Sequence, residues 1–213
     1  MYRLPSVLLL LATTALAQEV ARTEPPPPAP DSPAFEASLK FGLHLPQIAN
    51  PLTTSFDAVL KVGYGLPFLE RRFQLFLDLG YTQPSVTVTG SDARVPGGTF
   101  TATTTLHDFA TTLGLCFFIL EPSRALVPYV SAGARVHFLS ADTNGSAGGA
   151  TFGGWKETDT RFGGIFAAGA GYRLGPGRVL AELAFNVLPV DQRLTGLSNA
   201  SSLSLLVGYG LLF

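Results

Sequence analysis

The chain has 213 residues, a formal net charge of −1 and 14% charged residues, against about 25% in a typical soluble domain. This near-neutral balance argues against a nucleic-acid partner and against an electrostatic attraction to a charged membrane surface. The single cysteine, Cys116, excludes an intramolecular disulfide, and we interpret it as a small buried apolar residue.

The N-terminal segment predicts a secretory signal peptide over residues 1–17. One cation, Arg3, is followed by an apolar run and by the small-residue triplet Ala15-Leu16-Ala17, which predicts cleavage before Gln18. The apolar run is too short for a membrane-spanning helix. Residues 18–33 contain the stretch EPPPPAPDSP, which is incompatible with a helix or a strand interior. We interpret them as a disordered Pro-rich linker, with a binding motif as the less favoured alternative.

Residues 34–213 are predicted to form one β-barrel domain, because segments of period-two alternation recur with turn-forming residues between them. In the first segment, for example, Phe35, Leu39 and Leu43 fall on one face, and Glu36 and Lys40 fall on the other. No amphipathic helix is predicted. The eight predicted strands span residues 34–45, 55–66, 73–81, 108–119, 128–139, 161–173, 178–187 and 202–213.

Short and long connections alternate along the chain. The connections after strands two, four and six are short and turn-like, whereas those after strands one, three, five and seven are longer polar loops. The third long loop, residues 140–159, holds a GGW stretch in which we expect Trp155 to be flexibly displayed. Because eight is an even number, both chain ends lie beside the short turns. This asymmetry is typical of transmembrane barrels of Gram-negative outer membranes.

The apolar face of these strands is predicted to point outward into lipid. The opposite face carries mainly Gly, Ser, Ala and Thr with a few charges, which suits a narrow interior better than a solvated surface. Aromatic residues gather near both ends of the apolar face, as is typical of the two interfaces of a membrane. The upper group is Phe56, Tyr81, Phe109, Phe138, Phe162 and Phe185, and the lower group is Phe35, Tyr64, Phe73, Phe117, Tyr172, Tyr209 and Phe213. In hydrocarbon the sheet must close, so we expect the last strand to pair with the first.

On these features the chain resembles the eight-stranded outer-membrane β-barrel family, typified by the transmembrane domain of outer-membrane protein A and by OmpX. The resemblance covers residues 34–213 and includes the terminal segment VGYGLLF. It implies an all-β fold, an eight-stranded antiparallel up-and-down transmembrane barrel in the cell outer membrane, in contact with lipid and lipopolysaccharide. It also implies that the barrel-assembly machinery reads Tyr209, Leu211 and Phe213 as an insertion signal. Leu206 stands where the family signal often has a polar residue.

The inward face carries a predicted network of charges, which is the candidate site. Lys40, Lys61, Asp78 and Glu182 are expected to share a middle layer, and Asp57, Asp108, Arg135 and Arg161 an upper layer near His44 and His137. Buried charges persist when they are paired, so the favoured function is a structural or surface-interaction barrel with a plugged lumen.

Two other functions remain open. One is a narrow pore for small solutes or a conduit for an apolar ligand, and the more distant one is a lipid-modifying enzyme. The sequence has no Cys/His metal spacing or phosphate-binding loop, so we predict no cofactor, metal or catalytic residue. His137 and Ser140 are expected on opposite faces of one strand, which separates a base from its nucleophile. An unidentified surface ligand would be contacted through the long loops.

Overall fold

A computed structural model describes residues 33–46, 52–92, 97–189 and 200–213. The predicted signal peptide, and all but the last residue of the predicted linker, lie outside these ranges. Within the ranges, no helix is long and apolar enough to cross a bilayer. One turn of 3₁₀ helix occurs at Leu69–Arg71. The strands are β1 (Phe35–Pro46), β2 (Ser55–Gly65), β3 (Phe73–Thr82), β4 (Ser85–Ser91), β5 (Thr99–Phe118), β6 (Leu126–Ala147), β7 (Ala150–Leu174), β8 (Gly177–Val187) and β9 (Ser202–Leu212).

Eight of these strands close into an antiparallel ring. The ring runs β1, β2, β3, β5, β6, β7, β8, β9 and back to β1, while β4 pairs only with β5. The seam between β1 and β9 extends from Glu36 opposite Leu212 to Pro46 opposite Ser202. Beyond it, the Phe213 N–H donates to the Phe35 carbonyl at 2.9 Å. The predicted eight-stranded up-and-down barrel is therefore confirmed, with its last strand paired to its first.

The two faces of the ring are oriented as the alternation predicts. Apolar side chains on the outer face stay exposed, for example Leu39 (46%) and Leu77 (49%), whereas the neighbouring Lys40 and Asp78 are each only 3% exposed inside. The register also places outer aromatic rings side by side. Tyr81, Phe109 and Phe138 are adjacent towards the upper end, and Phe73 faces Phe117 near the lower end. The outward side is thus a continuous apolar belt with aromatic residues near both ends.

The predicted long polar loops are wrong in two places, because strands continue through them. The loop expected over residues 140–159 is a β-hairpin, in which β6 and β7 pair as far as Ala147 opposite Ala150. Its tip is Gly148-Gly149, with φ of 55° and 84°, as a two-residue turn of two strands requires. The loop expected after β3 contains β4 and the first part of β5. The physical reason is that Thr-rich alternation sustains a strand outside the membrane as well as inside it.

These added segments build one structure above the ring, which we call the extension. It comprises β4 and the upper parts of β5 (99–107), β6 (140–147) and β7 (150–163). The pairing of β7 with β8 begins only at Gly164, so the upper part of β7 is paired on one side alone. Trp155, expected in a flexible loop, lies in this strand and is 62% exposed.

Candidate functional site

In the lower half of the barrel interior, two side chains from other strands bond to the Glu182 carboxylate. Lys40 Nζ donates to Glu182 Oε1 at 2.5 Å, and the Tyr129 hydroxyl donates to Glu182 Oε2 at 2.8 Å. Both oxygens of the carboxylate are therefore bonded inside the barrel. Strand alternation turns all three side chains inward, but only the closure of the ring brings β1, β6 and β8 together across the bore.

Lys61 has no direct ion pair within the described part of the chain, and aromatic rings lie beside its ammonium group. Its Nζ lies 4.2 Å from the centroid of the Phe76 ring and 5.7 Å from that of Tyr129. A desolvated cation at such a distance is stabilised by the ring by about 2 kcal/mol. Asp78, its neighbour across β2 and β3, bonds instead to Arg135.

Arg135 is the centre of the upper half of the network. Its Nε donates to Thr112 Oγ1 at 2.6 Å, its Nη1 to Asn186 Oδ1 at 2.5 Å and its Nη2 to Asp78 Oδ1 at 3.2 Å. The side chains of Arg135 and Asp78 are 7% and 3% exposed. One guanidinium thus ties together β3, β5, β6 and β8 in the middle of the barrel.

A second branch connects this centre to the seam. Asn186 Nδ2 lies 3.4 Å from Ser202 Oγ and 3.3 Å from Ser204 Oγ, and the Ser204 hydroxyl donates to Asp57 Oδ2 at 2.6 Å. Ser202 Oγ lies 3.4 Å from His44 Nδ1. Asp57 has no ion pair among the described residues and accepts instead from the neutral Ser204 hydroxyl, which the Asn186 amide in turn contacts.

His137 and Asp108 form a separate buried pair above Arg135. His137 Nδ1 lies 2.8 Å and 3.0 Å from the two carboxylate oxygens of Asp108. His137 Nε2 has no hydrogen-bond partner among the described residues. Ser140 follows three residues later on the opposite face of β6, so the structure does not bring that hydroxyl to the imidazole.

Arg161 lies at the upper rim of the bore, opposite His137 in the pairing of β6 with β7. It was expected in the upper layer with Asp57, Asp108 and Arg135, but its side chain is 27% exposed and its Nε bonds Asp159 Oδ2 at 2.5 Å. Both residues lie on β7 above the point where β8 begins to pair. The strand is longer than predicted, which moves this position from the bore to its rim.

Several residues of the network are missing from the predicted set. Tyr129, Thr112, Asn186 and Ser204 each bond a charged group, and all are buried. Strand alternation predicts that these side chains point inward, but it predicts the same for every second residue of a strand. It therefore does not single out the residues that bond a charge. Arg178, near the lower end of β8, has a side chain that is 3% exposed, and its Nε lies 3.9 Å from Glu36 Oε2.

Apolar side chains close the bore above and below these charges. The lower cluster is Phe76, Cys116, Phe118, Val127, Tyr129 and Leu180, and the upper cluster is Leu106, Leu139, Ala141, Leu188 and Ala200. A space beside His44 and His137, bordered above by Leu106 and Leu188, offers about 20 Å³ to the centre of a water molecule. A volume of that size holds one or two waters. The interior is packed, not open.

The terminal residues predicted to signal insertion all line the lower outer face of β9 and its end. Leu211 is 42% exposed and Phe213 is 67% exposed. The Tyr209 hydroxyl donates to the Leu174 carbonyl at 2.7 Å. Their role in assembly stays a prediction.

Comparison with solved structures agrees with this architecture. No protein-family model matches the sequence, and no curated protein matches it. The crystal structure of Neisserial surface protein A is similar with a TM-score of 0.57 and 15% identity, over 84% of this chain and 97% of that chain. The N-terminal β-barrel domain of OprF from Pseudomonas aeruginosa gives 0.49 and 17%, over 84% and 98%. Ail, the attachment invasion locus protein of Yersinia pestis, gives 0.47 and 12%, over 85% and 99%. At 15% identity the likeness to Neisserial surface protein A concerns the fold alone, and the fold of this chain is that of the eight-stranded outer-membrane β-barrels.

Proposed function

We propose that this protein is an integral outer-membrane β-barrel with a structural or surface-interaction role, and that its lumen is plugged by paired charges. The observation that carries the proposal is the packed interior: Arg135 and Glu182 each bond several inward side chains at mid-barrel, between two apolar clusters. A solute would have to break these contacts to pass.

The outer surface supports a location in a bilayer. Apolar side chains on the ring's outer face are about half exposed, among them Leu60 (47%), Leu113 (59%) and Val207 (64%). A water-soluble barrel would bury such residues and turn Lys40 and Glu182 outward. Ring closure also satisfies the backbone, as hydrocarbon requires.

The extension supports a role at the surface. Apart from Phe162 at its base, it lies beyond the upper aromatic residues, where water is available to the unpaired edge of β7. Such an edge, with exposed Trp155 beside it, is a surface on which other molecules bind. Because the bore is filled, the extension is the part of the chain best placed to perform the protein's task.

The proposal includes no catalytic step and no cofactor. His137 bonds Asp108 inside the barrel, while Ser140 belongs to the opposite face. A nucleophile and its base must approach within hydrogen-bonding distance, so this pair does not support a lipid-modifying enzyme. We further propose that the barrel-assembly machinery recognises the outer face of the last strand, with Tyr209, Leu211 and Phe213.

Conductance measurement tests the plugged lumen directly. Purified protein refolded into detergent is inserted into planar bilayers, after a heat-dependent shift in gel mobility has established that the barrel is folded. We expect no stepwise current above the lipid baseline. Reproducible single-channel steps from the folded material would refute the proposal and support the narrow pore instead.

A further inference from the structure

The two faces of the extension differ sharply in chemistry. Its outer face, which continues the lipid-facing wall of the ring, carries only polar side chains at its regular positions on β4 to β6. They are Ser85, Thr87, Thr89 and Ser91 on β4, Thr99, Thr101, Thr103 and Thr105 on β5, and Asp142, Asn144 and Ser146 on β6. The inner face of the same strands carries Val86, Val88, Phe100 and Ala102 among others. Most hydroxyl groups of these strands therefore lie on the outer face, and the inner face has only the contacting pair Thr104 and Thr143 among its described positions.

The hydroxyl groups of the outer face are ordered across the strands. Thr87 Oγ1 lies 3.0 Å from Thr103 Oγ1, and Thr89 Oγ1 lies 3.4 Å from Thr101 Oγ1. A hydroxyl has one donor and two acceptor positions, so each bonded pair keeps one donor and three acceptor positions for a ligand. Neighbouring strands are about 4.8 Å apart, and same-face residues along a strand about 6.7 Å. The face is a regular grid of hydrogen-bonding groups.

This grid begins directly above the upper aromatic residues. The Tyr81 hydroxyl lies 2.9 Å from His107 Nδ1, and His107 Nε2 lies 3.4 Å from Asp142 Oδ2. These polar contacts connect the upper end of the ring to the grid. Ten residues separate Phe109 from Thr99, which at a strand tilt of about 40° gives a height of about 25 Å. The grid thus spans the depth at which the sugars of an outer-leaflet glycolipid surround a barrel.

We propose that the outer face of the extension binds the neutral sugars of the outer-leaflet glycolipid. This inference rests on the proposed membrane location and names the partner of the surface role. Sugar hydroxyls are donors and acceptors like those of the grid, and the grid is continuous with the lipid-facing wall. Lys156 is the single described cation on the outer face of the extension, and it sits opposite Asp142, so phosphate is not the group recognised. The absence of apolar anchors on the described grid disfavours a protein partner.

The test removes hydroxyl groups without changing side-chain shape. Thr101→Val with Thr103→Val deletes two central hydroxyls of the grid, and valine retains the branched shape and the preference for strands. Thr104→Val is the matched control, because Thr104 directly follows Thr103 but lies on the inner face, where its Oγ1 is 2.9 Å from Thr143 Oγ1. Heat-dependent gel mobility verifies that every variant is folded.

The measurement is a titration of the folded protein in detergent micelles with the deacylated, dephosphorylated oligosaccharide of lipopolysaccharide, followed by calorimetry or NMR. We expect saturable binding that the double variant weakens about tenfold and the control leaves within twofold, since two net hydrogen bonds are lost. No binding by the parent protein, or equal weakening in both variants, would overturn the inference. So would binding only when the sugar carries its phosphates, or self-association that the double variant abolishes. Channel currents would refute the proposed function and leave this titration unaffected.

Discussion

Replacing Arg135 by methionine is the sharpest test of the interior. Met has a similar length and no charge, so the change leaves Asp78 buried without its cation and deprives Thr112 and Asn186 of a donor. Removing one partner of a buried ion pair costs about 3–5 kcal/mol, and each lost hydrogen bond about 1 kcal/mol. These contributions overlap, so we expect the free energy of unfolding to fall by about 4 kcal/mol.

The double variant Arg135→Met with Asp78→Asn separates charge from packing. Asn removes the uncompensated carboxylate at nearly constant shape, so we expect it to restore about half of the lost stability. Arg72→Met provides the control, because Arg72 and Glu70 are paired at 2.9 Å with side chains 37% and 59% exposed. An exposed pair of this kind contributes about 0–1 kcal/mol.

Urea unfolding in lipid vesicles, followed by heat-dependent gel mobility, measures all four proteins under one condition. The reasoning is refuted if Arg135→Met costs less than 1 kcal/mol. It is also refuted if the second substitution adds its own cost instead of reducing the first, since Asp78 would then be stable without a cation.

Three further changes test the belt, the seam and the terminus. Leu77→Lys places a charge in the outward belt and should reduce the free energy of unfolding in vesicles by about 2–4 kcal/mol. Thr87→Lys in the extension is the control and should change it by less than about 0.5 kcal/mol. Equal effects of the two substitutions would contradict the membrane assignment. Gly42→Val should prevent closure of the barrel, because an added Cβ would lie 2.9 Å or less from the backbone of Leu205 and Leu206. Gly164→Val is the control, since its added Cβ would meet its nearest atom at 3.5 Å. A folded Gly42 variant with normal gel mobility would refute the tight seam. Deleting Phe213 removes its backbone hydrogen bonds to Ala34 and Phe35 and should lower the assembled fraction in cells several-fold. Phe68→Ser, near the lower turn, is the control and should leave assembly unchanged. Unchanged assembly after the deletion would refute the prediction that the terminal residues signal insertion.

The ring with its filled bore and the extension have different properties. The ring is rigid, because its inward charges are bonded to groups on several strands, and the strands β4 to β7 place polar side chains outside it. Loop and extension residues tolerate change more readily than a packed interior does.

Strand alternation determined most of the architecture from sequence alone. Phe35, Glu36 and each following residue are assigned to a face by parity, a property of the single strand. The number of ring strands follows from the same rule, whereas the outward face is identified by the small residues of the opposite face and by the two groups of aromatic residues. The strand ends of β5 to β7 were mispredicted, because polar alternation such as TFTATTT has the composition of a loop. The Gly-Gly pair at 148–149 was the available signal of a hairpin.

Only the tertiary structure decided which inward groups meet. Lys40 and Glu182 are 142 residues apart in sequence, and Arg135 bonds Asp78 and Asn186 from strands that are not its neighbours. Whether two inward residues touch depends on the tilt and stagger of the closed ring, which are properties of all eight strands together. Arg161 has the parity of an inward charge, yet it lies at the rim because β7 continues above β8. The face on which a side chain lies is a local property that the sequence alone predicts. Its height in the barrel and its partner across the bore are determined only when all eight strands have closed into the ring.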